Sequence, residues 1–203
     1  MKKLLAVPFH KQRFANSCLP ACIKMVLAYY GDRARERTLY RMGKLPGHPG
    51  SWDVKIAPYL IKTGYAVTSY WNAGMKAWRM KPVTVEAFNQ AFTIARKAGF
   101  LHKRNATINL IKKLINKGTP VLAEVDADIF YGERFGVTHM VVVIGYDAGH
   151  LIVHDPDPHF GETRRKVRLA HFKKSWEQLA GLAGRSMIII EKQSSKTARL
   201  KKQ

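Results

Sequence analysis

Gly136-Val-Thr-His139-Met-Val-Val-Val-Ile-Gly-Tyr146, the turn Asp147-Ala-Gly149, and Leu151-Ile-Val-His154-Asp155-Pro156 decide the fold. Two short β-branched runs around an Asp/Gly turn read as an antiparallel hairpin. Runs of the same kind, Pro120-Val-Leu-Ala-Glu-Val125 and Met187-Ile-Ile-Ile190, add strands, and Ala66 to Trp71 alternates like another. Upstream the apolar period is helical. Asn16 or Ser17 can cap a helix carrying Ala21, Ile23, Met25, Val26 and Leu27 that stops at Gly31. A short helix is expected from Glu36 to Met42, and another from an N-cap at Ser51 to Gly64. Thr84 is read as the cap of a helix closing at Gly99, Ile108 to Lys117 as a helix ending at Gly118, and Ala170 to Leu179 as the last. Helices first and consecutive strands later imply an α+β domain, an N-terminal helical part packed on a mostly antiparallel sheet.

The chain has 203 residues, close to one typical domain, with 46% hydrophobic residues, so a single packed unit over 1–193 is expected. Residues 194–203 read as a basic, solvated tail. No apolar run approaches the roughly 18 residues of a membrane span, and no N-terminal secretory pattern is evident, so the expected location is the cytoplasm. Cys18 and Cys22, one helical turn apart, make no disulfide framework. Charge is uneven. Thirty-five Lys and Arg against 14 Asp and Glu give +21, yet residues 124–162 carry eight acidic residues against Arg134 alone. This is an acidic island in a basic protein.

A cysteine nucleophile needs a route to thiolate, a base, and donors for the oxyanion. Cys18, in the first turn of its helix, would have free N–H groups and the positive end of the helix dipole beside it. Gln12, six residues upstream, could supply a further oxyanion donor if the intervening loop folds back. His139 is the candidate base. A hairpin centred on Asp147 would set His139 directly across from Asp155 on one face, where Asp155 could orient the imidazole. A one-residue slip would separate them.

Val7-Pro-Phe-His-Lys-Gln12, Asn16-Ser-Cys18-Leu-Pro-Ala-Cys22 and Met25-Val-Leu-Ala-Tyr-Tyr-Gly31 resemble the opening of the papain-like cysteine peptidases that process bacteriocin leaders. Gly136 to Tyr146 and Val153-His-Asp155-Pro156 resemble that family's second block. The resemblance implies a papain-like fold with Cys18 as nucleophile, His139 as general base and acid, Asp155 as its orienting partner and Gln12 as oxyanion donor. It implies neither cofactor nor metal, and a peptide or protein substrate. Relatives joined to exporters cut after a Gly-Gly pair. This chain instead looks like the free-standing type: it has no Gly-rich phosphate loop, Ser17 stands where an acidic residue is common, and residues 73–105 look like a helical insertion.

Each residue also has a plainer reading. Cys22, Tyr29 and Tyr30 read as core, and Trp52, Trp71 and Trp78 as packing, with the lining of a substrate groove as the alternative. His154, Asp157 and His159 match no metal-site spacing. The same three catalytic residues would serve an acyl or amide transferase. The basic excess supports a rival reading, a binding protein for nucleic acid or an acidic partner, through non-specific, salt-dependent phosphate contacts.

Overall fold

The computed structural model describes residues 2–71, 81–178 and 185–193. Along the chain run β1 (Lys3–Leu4), α1 (Cys18–Tyr29), α2 (Glu36–Gly43), α3 (Asp53–Lys62), β2 (Tyr65–Tyr70), α4 (Pro82–Lys97), β3 (Leu101–Lys103) and α5 (Ile108–Asn116). Then follow β4 (Val121–Asp126), α6 (Ala127–Tyr131), β5 (Thr138–Tyr146), β6 (His150–His154), β7 (Arg165–Arg168), α7 (Leu169–Glu177) and β8 (Ser186–Lys192). The sheet runs β3-β2-β8-β4-β5-β6-β7, with β1 also paired to β5. Only β2 with β3 is parallel among these pairs. The architecture is the α+β arrangement expected.

β4, β5 and β8 lie inside the sheet, and their Val and Ile runs are buried almost throughout. A strand covered on both faces loses polar alternation, which is why these segments read as continuous apolar runs. α1 lies over β5. Leu19, Ala21, Cys22, Ile23, Met25, Val26 and Leu27 are all buried, and the Cys22 thiol donates to Met140 O at 3.2 Å. Gly31, at φ +83°, ends the helix as the sequence suggests. Gly145 is fixed by β1: a Cβ there would lie 2.5 Å from Lys3 O.

Three helix starts differ from expectation. Ser17 is the N-cap residue of α1, but its side chain makes no cap bond. α3 begins after Trp52 rather than Ser51, because Ser51 is held in a β-bridge to Lys44. Thr84 lies inside α4, buried, its hydroxyl donating to Pro46 O at 2.8 Å. Pro82 starts that helix three residues earlier, with Lys81 at the cap position, where the missing N–H of proline costs nothing. The segment 73–105 is not wholly helical in its described part, since β3 follows α4. Trp78 and the tail 194–203 lie outside the described residues.

Candidate active site

Cys18 is the first residue of α1. Ala21 N bonds Ser17 O at 2.9 Å and Pro20 has no N–H, so Cys18 and Leu19 supply the N–H groups at the helix head. No side chain caps them, because Ser17 is used elsewhere. Its buried hydroxyl lies 2.7 Å from both Phe14 O and Glu36 Oε1.

Glu36 is the residue that sequence reasoning missed. Its side chain is 3% exposed, although it opens α2, where an acidic side chain reads as a solvated partner of the helix dipole. It reaches back to the segment before Cys18. Oε1 accepts from Arg13 N at 2.9 Å and Oε2 pairs with His10 Nε2 at 2.7 Å. Burial pushes this carboxyl up, but the bonds from Arg13 N, Ser17 and His10 together hold it below its ordinary value. A carboxylate is therefore present beside Ser17 after all, delivered from α2. The signal was its isolation: Glu36 is the one acidic residue between Asp32 and Asp53.

His139 stands on β5, opposite Val125 of β4. Its Nε2 lies 2.8 Å from Asp155 Oδ1, and the ring lines the same cavity as Cys18, which acts on it electrostatically. The structure thus brings Cys18, His139 and Asp155 together, but not by the direct pairing expected. Near the turn Tyr146 faces Leu151 and Gly145 faces Ile152; past Ile144 the register steps by one, so Val143 faces Val153 and Val142 faces His154. Extending the first register would put His139 and Asp155 on opposite faces. The bulge at Ile144 restores the shared face, two residues off direct pairing, within diagonal reach.

Asp155 is wholly buried and well supplied with donors. Tyr131 OH donates to its oxygens at 3.0 and 3.1 Å, Asp157 N at 3.1 Å, and Arg165 Nη1 at 3.4 Å. Burial pushes its carboxyl up, yet the bond and charge of His139 and these further donors hold it below the usual carboxylate value. Burial pushes His139 down, but Asp155 and Cys18 outweigh it and raise the imidazole to about 10. The charged imidazolium is therefore the favoured form. Gly161 makes room for this arrangement: a Cβ there would collide with the backbone of Asp157 and lie 2.5 Å from Asp155 O. Cys22, buried beneath, has its thiol pushed up by burial first and by Cys18 and Asp155 next, so it stays protonated.

Gln12 N donates to Pro156 O at 2.8 Å, tying the segment before Cys18 to the residue after Asp155. Its side-chain Nε2 makes a long bond of 3.4 Å to Phe14 O, while Oε1 is buried without a partner. Of the residues weighed as metal ligands, His154 is structural. Its Nε2 donates to Val7 O at 2.8 Å and its Nδ1 accepts from Arg164 N at 3.1 Å.

Cys18 and His139 open into a cavity of about 300 Å³, lined also by Trp52, Trp71, Asp53 and Glu124. A sulfur beside an imidazolium, at the head of a helix and facing a cleft, has the makings of a nucleophile for a carbonyl carbon.

No helix among the described residues is long and apolar enough to cross a membrane. No curated protein sequence matches the chain. Solved structures do. Xylellain, a cysteine protease from Xylella fastidiosa, is 16% identical with a TM-score of 0.57, over 95% of this chain and 86% of that one. A candidate C39-like peptidase from Bacillus anthracis is 18% identical with a TM-score of 0.56, over 96% and 100%. A double glycine motif protease from an AMS/PCAT transporter, solved with its leader peptide, is 16% identical with a TM-score of 0.53, over 94% of each chain. At these identities the likeness speaks for a shared papain-like fold. The family model of the C39-like peptidases matches residues 4–184, nearly the whole described domain, and the chain belongs to that family.

Proposed function

We propose that this protein is a thiol peptidase in which Cys18, His139 and Asp155 act as a triad on peptide or protein substrates. The observation that carries this reading is the position of the His139 ring, bonded to Asp155 at 2.8 Å and lining one cavity with Cys18, which acts on it electrostatically. In the proposed course, the Cys18 thiolate attacks the scissile carbonyl carbon. Negative charge gathers on the carbonyl oxygen, where the N–H of Cys18 and Gln12 Nε2, exchanging its long bond to Phe14 O, donate to it. The imidazolium passes its proton to the departing amine, leaving a thioester and a neutral ring. Water then attacks the thioester as His139 takes its proton, and the acid is released with Cys18 restored. Asp155 stabilises the imidazolium and fixes which nitrogen faces the sulfur.

Processing of a leader peptide fits this reading, given the leader-bound transporter protease among the similar structures. An amine in place of water would make the same acyl-enzyme a transferase. The two free cysteines fit a reducing cytoplasm, and residues 1–193 act as one catalytic unit. Mass-spectrometric trapping of the thioester from a peptide library tests the proposal. The wild type should carry an acyl fragment on Cys18, and both Cys18→Ala and His139→Ala should lose turnover while keeping their fold. Undiminished turnover in either variant would remove the mechanism.

A further inference from the structure

The cavity beside Cys18 is lined by side chains that the proposed chemistry does not use. Its walls are aromatic. Trp52 and Trp71 both line it, each edge-on to Phe88, at centroid distances of 5.5 and 6.0 Å. Two carboxyl groups line it as well, Asp53 at the start of α3 and Glu124 on β4. Their hydrogen-bond partners are neutral: Asp53 accepts from Val54 N at 2.8 Å and from Ser69 Oγ, and Glu124 from Thr138 Oγ1 at 2.7 Å.

Among the described residues lining the cavity there is no Lys or Arg. His48 lines it too, but its Nδ1 accepts from Gly50 N and Trp52 Nε1, and burial holds it below its ordinary value, so it is neutral. His102, tilted against Trp71 with ring centroids 3.7 Å apart, acts electrostatically on Asp53 and opposes part of the effect of burial. Burial pushes both carboxyls up, and Asp53 raises Glu124 further. The imidazolium of His139 also lines the cavity, but it is paired with Asp155; two further acids with neither Lys nor Arg beside them are a costly arrangement, which an entering positive charge would relieve. The surrounding rings also favour a cation over a neutral group.

We propose that this chamber receives the basic side chain, of lysine or arginine, of a substrate residue adjoining the cleaved bond. This rests on the peptidase reading, and it sets the chain apart from proteases whose substrates end in two glycines, which would leave the chamber empty. The +21 charge of the whole chain repels cations at a distance. That repulsion fades beyond about 8 Å at physiological salt, whereas attraction between partly buried charges is screened much less. The preference should therefore survive in high salt.

The test uses blocked hexapeptides differing only in Lys, its neutral isostere norleucine, or Gly, scanned through the two residues on each side of the bond. Two ratios are read: kcat/KM for Lys over norleucine in the wild type, and the corresponding Kd ratio in Cys18→Ala. One position should favour Lys by about tenfold or more, the size of one charge-assisted hydrogen bond. In Asp53→Asn/Glu124→Gln the ratio should fall to near one, and a ratio cancels any general loss of activity or folded protein. Turnover of neutral peptides with a Lys ratio near one at every position would overturn the chamber and leave the peptidase standing. No turnover of any peptide would overturn the peptidase, and the Kd ratio in Cys18→Ala would still decide the chamber.

Discussion

Glu36 offers the sharpest test of how the catalytic segment is held. Glu36→Ala removes three bonds at once, to Arg13 N, Ser17 Oγ and His10 Nε2. The losses are not equal. Ser17 Oγ still has Phe14 O at 2.7 Å, and His10, 16% exposed at its side chain, can turn to water. Arg13 N is left without its acceptor. One part-buried donor left unmet and one charge-assisted network lost together cost about 3 kcal/mol of stability. Glu36→Gln keeps an oxygen for Arg13 N and should cost about 1 kcal/mol. The segment carries Gln12 and leads into Cys18, so kcat/KM in the Ala variant should fall between about tenfold and a hundredfold, short of the loss of a whole oxyanion donor. Because the folded carboxyl lies below its ordinary value of 4.5, its contribution is complete above that pH and is lost as pH falls through the folded value. Urea unfolding of the three proteins at pH 7 and pH 3.5, with peptide turnover at pH 7, checks this. If Glu36→Ala matched wild type in both stability and turnover, Glu36 would have no part in holding Cys18.

Other perturbations address the remaining supports. Tyr131→Phe removes the hydroxyl bonded to Asp155 and should lower kcat/KM by about threefold to tenfold, from roughly 1 kcal/mol of lost support; steady-state kinetics reads it. Gly161→Ala forces a methyl against the backbone of Asp155 and Asp157 and should destabilise the fold by about 1–3 kcal/mol, seen as a lower midpoint in urea. His139 titrates higher folded than unfolded, so the stability of its pair with Asp155 is full below about pH 6.5 and lost as pH rises through about 10. Unfolding free energies of wild type and Asp155→Asn should therefore converge at the alkaline end. If the basic excess contacts nucleic acid at all, that binding should weaken steeply from 50 to 200 mM salt and show no sequence preference in filter-binding assays.

Much of this could be read before any coordinates, and the failures have physical causes. α1 and α5 end where Gly31 and Gly118 allow positive φ, and both glycines were legible. β3 and β7 were missed because Leu101-His-Lys103 and Arg165-Lys-Val-Arg168 lack β-branched runs; they lie at the two ends of the sheet, where charge is tolerated and useful. Ser17 and Thr84 look like caps, but tertiary partners claimed their hydroxyls. The closeness of Cys18, His139 and Asp155 was anticipated from motif and spacing, whereas Glu36, Tyr131 and Arg165 bond across 10 to 26 residues with no local pattern to announce them.

The segment between His139 and Asp155 behaves like a reading frame. Its strand register and the single extra residue at Ile144 jointly determine which way Asp155 projects. Losing or gaining one amino acid within the paired strands, as opposed to the turn, would turn the carboxylate away from the imidazole, whereas a second compensating change would bring it back. Length variants within the strands should be tolerated in pairs, and a natural relative with an odd-numbered change there is expected to have moved or abolished the irregularity, whereas the turn can absorb a change without either.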